Sequence, residues 1–333
     1  MTSRRLVVPA ALAAASALVL TGCAGDATTD ETTGISVVTS TNVYGDIASA
    51  IGGDLVSVTA IIDSGALDPH SYEVSARDEL TISRADLIVS NGGGYDPFVD
   101  TAIEATAAAA PQLLAVEYSH DWPENEGHDH DDDASAGSAT EDADDDHDHD
   151  DHAGHDHVEG FNEHVWYDPH TVEHLAEAIA DELGDLDPAN AETYAANLAE
   201  FTEGIEGLES DLADIAAAHG GEKVFVTEPV PLYLTAAAEL ENVTPDAFSE
   251  AVEEGNDVAP ATLLESMRLI DSGDVAVVIA NAQTGGAETT TITDEAQTQG
   301  IPVLEFTETL PDGQTYLSWM QQNIAALMTA LSA

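Results

Sequence analysis

An α/β fold of two similar lobes, each with a mostly parallel sheet flanked by helices and joined by one long rigid helix, is what the sequence predicts. Three observations carry it. Short β-branched runs alternate with helix-like stretches before residue 124, the same alternation returns after residue 220, and a single apolar seam at helical spacing lies between the two.

The first lobe opens with "ISVVTS" from Ile35, followed by "VSVTAII" and "ADLIVSNGGG". Each is a short β-branched run bounded by turn residues, which reads as a strand. Helices are predicted between them, around Asp46–Ile51 and Arg77–Ser83. Strands that alternate with helices pair in parallel, because the helix is the crossover.

The seam consists of Tyr194, Leu198, Phe201, Ile205, Leu208, Leu212 and Ile215, spaced alternately by four and three residues. That spacing lays every member on one face of one helix. Pro188 stands where a helix start tolerates proline. Running on to Gly220, such a helix is roughly 45 Å long at 1.5 Å per residue. A coiled coil has the same pattern, but strand-rich flanks on both sides favour a strut between two lobes. The second lobe then supplies "KVFVT", "DVAVVIA" and "IPVLEF" as strands, with helices near Pro260–Ile270, Thr293–Gln299 and Tyr316–Leu331. No short repeat period is present.

Composition narrows the partners. Six Lys and Arg stand against 65 Asp and Glu, a formal charge of -59, which repels nucleic acid and anionic lipid and attracts cations. An apolar fraction of 43% supplies real cores, so a globular body is expected with something attached to it. One attachment lies at the start, where Arg4 and Arg5 precede an apolar run from Leu6 to Leu20, too short for a comfortable membrane span and typical of a secretory signal. It ends in "LTGC", which resembles the lipobox of bacterial lipoproteins, cut before a cysteine that is then lipidated. Cys23 is the only cysteine in the chain and cannot staple the fold internally. The second attachment, Glu124 to Glu159, holds sixteen acids, seven histidines and no Lys or Arg, too polar to fold alone.

The expected organisation is therefore a signal peptide at 1–22 and a lipid-bearing Cys23 with a flexible tether at 23–34. An N-terminal α/β lobe follows at 35–187, with the acidic His-rich loop at 124–159 inside it. A linking helix at 188–220 and a C-terminal α/β lobe at 221–333 complete the chain.

Three residues, His70, Glu228 and Glu308, stand where a parallel sheet presents ligands, beyond the carboxyl ends of strands, and His164 is a fourth candidate from its aromatic surroundings. His70 in "GALDPHSYEVS" follows "VSVTAII", His164 in "NEHVWYDPH" lies among aromatic residues after the acidic loop, Glu228 follows "KVFVT", and Glu308 follows "IPVLEF". On residue type alone each is as readily an ordinary surface His or a solvated loop acid. His170 and His174, four apart, share one face of a helix starting at Asp168-Pro169; that spacing holds metal, although two histidines in solvent are the commoner outcome.

Taken together, "LDPHSYE", "EHVWYDP", "VTEP" and "FTETLPDGQTYLSWMQQNI" resemble, in order, the landmarks of zinc- and manganese-binding lipoproteins that serve ABC importers. The resemblance spans the whole mature chain. It implies one metal in the cleft between the lobes, held by His70, His164, Glu228 and Glu308. The third of these positions is His in many zinc members and Glu in many manganese members, and the fourth is usually Asp, so Asp312 is the alternative to Glu308 if the loop is registered differently. Two imidazoles and two carboxylates neutralise a divalent ion, and the nitrogen donors favour Zn2+, with Mn2+ as the alternative. The histidines of the loop, His128, His130, His147, His149, His152, His155 and His157, are expected to gather metal weakly.

The resemblance further implies an extracytoplasmic protein, lipid-anchored through Cys23 on the outer face of the cell membrane. It would deliver its ion to an ABC importer permease without catalysing a reaction, while the strong negative charge and tethered, two-lobed body suit a monomer with no nucleic acid partner. A secreted metal hydrolase needs an open coordination position, and neither an HExxH pair nor a Gly-x-Ser-x-Gly elbow is present. A surface adhesin or metal-storage protein would concentrate its metal in the His-rich loop.

Overall fold

The computed structural model describes residues 34–125, 158 and 160–333. The leader, Cys23 and the seven histidines of the acidic loop lie outside the described residues.

In the first half, β1 (Ile35–Thr41), α1 (Asn42–Gly52), β2 (Val56–Ile62), α2 (Ala76–Ile82), β3 (Leu87–Ser90), α3 (Phe98–Thr106) and β4 (Gln112–Leu114) build one four-stranded sheet. Two helices follow, α4 (Pro169–Leu186) and α5 (Ala191–His219). The second half comprises β5 (Lys223–Val226), α6 (Leu232–Ala237), β6 (Glu241–Asn242), α7 (Asp246–Glu253), α8 (Pro260–Asp271), β7 (Val275–Asn281), α9 (Ala287–Gln299), β8 (Val303–Phe306) and α10 (Tyr316–Leu331).

The strand orders are β2-β1-β3-β4 and β6-β5-β7-β8, and every pairing is parallel. The two lobes thus share one topology, the α/β arrangement the alternation predicts. Both faces of each sheet are covered, and the residues alternate accordingly. Val37, Leu87, Val89, Val277 and Ile279 join a large inner core, while their neighbours Val38, Ile88 and Val278 join smaller cores on the outer faces.

The inner core is continuous from α1 through α4 and α5 to α10. Of the seam residues, Tyr194, Phe201, Ile205, Leu208, Leu212 and Ile215 are buried and Leu198 is partly buried in that core. Packing therefore holds α5 along most of its length, which a helix of 29 residues needs to stay straight. The helix starts at Ala191, later than Pro188 suggests; Asp187 caps the end of α4, and Pro188 lies in the turn between the two helices. The Thr293–Gln299 expectation also falls short at its start, since α9 begins six residues earlier, after Gly286. Short elements such as β4, β6 and α7 were not foreseen; their runs carry no clear period. Among the described residues, no helix is long and apolar enough to cross a membrane.

Candidate metal centre

The loops after β2, β5, β7 and β8 converge between the sheets from their carboxyl ends, where open α/β sheets collect ligands. His70 comes from the loop after β2, whose turn is fixed by Asp68: its carboxylate accepts from the His70 amide at 3.0 Å and from the Ser71 hydroxyl at 2.7 Å. His164 precedes a single 3-10 turn, Val165–Tyr167, whose residues are all buried. Asp168 then caps α4, accepting from the amides of His170 and Thr171, with Pro169 as first helical residue. Glu228 stands two residues beyond β5 and Glu308 two beyond β8.

Ligand atoms of His70, His164 and Glu308 lie within 4.8 Å of one another. His164 and Glu308 are buried and His70 is half-buried. The His164 Nδ1 is 2.8 Å from Asn162 Oδ1, an acceptor that keeps the ring proton on Nδ1 and turns the Nε2 lone pair inward. Tyr95 packs edge-on to His70 and His164, with centroids at 4.8 and 5.8 Å, and Trp166 backs His164 at 5.2 Å. These rings form a dry wall that fixes both imidazoles.

Glu228 is buried but stands outside that trio, one hydrogen bond away. The Asn281 amide donates one proton to Glu228 Oε2 at 2.9 Å and the other to Glu308 Oε1 at 2.6 Å. Thr284 donates its hydroxyl to the second oxygen of Glu228, and Tyr95 donates to Glu308 Oε2 at 3.3 Å. Gln283 Oε1 accepts from the amides of Glu308 and Thr309 at 2.6 and 2.9 Å, setting the turn on which Glu308 stands. Asp312, the alternative fourth ligand, is exposed in the turn before α10.

Two acids that sequence reasoning missed belong to this centre. Glu163 and Glu253 form a second cluster with His70, again with ligand atoms within 4.8 Å. Glu253, the last residue of α7, places Oε1 at 3.7 Å from His164 Nε2. Nothing in its local sequence, "SEAVEEGND", separates it from its acidic neighbours. Asn281 was findable, since it ends the strand "VAVVIAN" by the same rule that selects Glu228.

Burial dominates the electrostatics of these acids. Burial, followed by the neighbouring Glu163, Glu228 and Glu308, pushes the Glu253 carboxyl up to about 9. Burial pushes Glu308 up to about 7 against the hydrogen bond from Asn281, and Glu228 is raised for the same reason. Among the described residues, no Lys or Arg forms an ion pair with any of these acids; Lys223, the one Lys or Arg in an ion pair, meets Asp274 elsewhere. A cleft of about 550 Å³ opens onto His70 and Glu253 and is lined by the further acids Asp68, Glu254, Asp257 and Glu288.

Two α/β lobes around such a donor set define a binding protein for a divalent metal ion. The family model for the periplasmic zinc-uptake complex component A matches residues 37–330, and the chain belongs to that family. The chain is 24% identical over 326 residues to the manganese-binding lipoprotein MntA of Halalkalibacterium halodurans, covering 95% of each chain. It is 26% identical over 329 residues to the zinc-binding lipoprotein AdcA of Streptococcus pneumoniae, covering 95% of this chain and 59% of that protein. In fold, it is similar to the periplasmic zinc-binding protein TroA of Treponema pallidum, with a TM-score of 0.67, 16% identity, and coverage of 90% and 99% of the two chains.

Proposed function

We propose that this chain captures a divalent transition metal in the cleft between its lobes and passes it to the permease of an ABC importer. The observation that carries the reading is the convergence of His70, His164 and Glu308 within 4.8 Å, next to the buried Glu228 and the half-buried Glu253, with which no Lys or Arg among the described residues forms an ion pair. Both named relatives are metal-binding lipoproteins, and the family is one of binding proteins rather than enzymes.

Zinc is the proposed cargo. Two imidazoles and one carboxylate suit its four-coordinate geometry, with Glu228 or Glu253 completing the set after a small shift. The His-rich loop supports the same choice, because imidazole gathers zinc better than manganese. The acidic cleft draws cations towards His70. Lipid on Cys23 would hold the body at the outer face of the membrane, beside the permease, as a monomer.

Calorimetric titration of zinc, then manganese, into the metal-stripped protein tests this reading. The expected result is one tight zinc site that manganese does not displace, above a background of weak sites. Both His70→Ala and His164→Ala are expected to abolish the tight site and leave the weak ones. Tight binding that survives both substitutions would overturn the assignment.

A further inference from the structure

The outer surface of the α4–α5 pair carries a second constellation of metal-ligating groups, separate from the cleft. His170 and His174 lie one turn apart on α4, and their Nε2 atoms are 3.2 Å from each other. Glu173 of α4 and Glu209 of α5 bring carboxylate oxygens within 4.8 Å of each other and of a His170 ring nitrogen. Two acids on different helices thus face each other beside a pair of imidazoles. The ring planes of the histidines cross at 82°, with centroids 4.6 Å apart, so the two nitrogens converge edge to edge rather than stack.

We propose that His170, Glu173 and Glu209, joined by His174 after a side-chain shift, form a second, surface binding site for a borderline divalent cation such as zinc. Three features support it. Zinc–nitrogen bonds are about 2.0–2.1 Å, and the edge of a tetrahedron is roughly 1.6 times its centre-to-corner distance, so two imidazole ligands of one zinc stand about 3.3 Å apart. The observed 3.2 Å is that edge. Glu177 Oε2 lies 3.1 Å from His174 Nδ1, so it takes the ring proton there and leaves the lone pair on Nε2, the carboxylate–histidine arrangement that orients metal ligands. Two neutral imidazoles and two carboxylates also balance a doubly charged ion.

The alternative is a plain hydrogen bond, in which His170 Nε2–H donates to His174 Nε2. The two arrangements differ by one proton position: zinc binding through Nε2 requires His170, an exposed residue, to carry its proton on Nδ1. The site is more exposed than the cleft and is therefore the weaker of the two.

The test uses the metal-stripped mature chain and histidine carbethoxylation, read residue by residue by peptide mass spectrometry as zinc is added. His170 and His174 are expected to lose reactivity together, at zinc above the equivalent that protects the cleft. In His174→Ala, zinc protection of His170 is expected to disappear while protection of His164 is kept. Glu177→Gln should raise the zinc needed for half protection of His170 by about 10-fold, the usual effect of removing an outer partner. Two results would overturn the proposal: unchanged reactivity of both histidines at saturating zinc, or full zinc protection of His170 in His174→Ala.

Discussion

Asn42 and Leu310 exchange two hydrogen bonds across the lobes: Asn42 Nδ2 donates to the Leu310 carbonyl at 2.8 Å, and the Leu310 amide donates to Asn42 Oδ1 at 3.0 Å. One end of this clasp starts α1 and the other lies two residues from Glu308. Tyr167 adds a third tie, donating to the Thr307 carbonyl at 2.7 Å, so the loop bearing Glu308 is held by the opposite lobe on both sides. Asn42→Ala is expected to lower stability by about 1–3 kcal/mol, the worth of two such bonds. Hydrogen exchange at the Leu310 amide should accelerate in the same variant, and zinc should dissociate faster. Unchanged exchange there would show that the clasp does not restrain the loop.

The bridging amide of Asn281 gives a separate expectation. Asn281→Ala removes the donor shared by Glu228 and Glu308 and leaves two buried acids facing each other. A loss of about 1–3 kcal/mol per unsatisfied group is expected in the metal-free protein. A divalent ion at the proposed site would offset the repulsion between the two carboxylates, so the difference in melting temperature between variant and parent should shrink when both are loaded. Equal differences in the two states would argue against a shared ion beside these acids.

Stability of the metal-free protein should fall as pH rises. Glu308 at about 7 and Glu253 at about 9 both lie above the ordinary carboxyl value of 4.5. A raised folded-state value means that the folded protein holds a proton the unfolded chain has released. The stabilisation is full below about pH 4.5, is lost through pH 7 for Glu308, and is lost through pH 9 for Glu253. An ion held as proposed would displace those protons, so zinc affinity should rise with pH over the same range. Potentiometric titration during zinc addition at pH 6 should register proton release that diminishes by pH 9.

Glu253 closes the cleft from α7, and its substitution separates charge from shape. Glu253→Gln keeps the side chain near His164 Nε2 but removes the buried acid. Metal-free stability is expected to rise, because a desolvated carboxyl with three acidic neighbours is no longer present. Zinc affinity should fall about 10-fold if the carboxylate contributes to holding the ion, as outer or added ligands commonly do. Denaturation and titration of one variant measure both effects.

The sheets, the strut helix and the carboxyl-end loops were legible because each depends on periodicity or on a topological rule. The alternation in "DVAVVIA" and the seam from Tyr194 to Ile215 encode burial directly. Of the four residues expected as ligands, His70, His164 and Glu308 bring ligand atoms within 4.8 Å of one another, while Glu228, expected as the fourth, stands outside that cluster and is tied to Glu308 through an asparagine. Glu253 was not legible. It is one of several acids at the end of a short helix, and only the packing of α7 against the opposite lobe's His164 distinguishes it from Glu250 or Glu254. The meeting of Glu209 with His170 is equally hidden, since it depends on how α5 is rotated against α4.

The parallel order of the second sheet has a consequence for the timing of assembly. Glu308 follows β8, the last strand laid down, and β8 is an edge strand held only by β7. A chain emerging from its amino end presents His70 and His164 well before their carboxylate partner exists. The cluster of His70, His164 and Glu308 is therefore complete only once the final strand has docked.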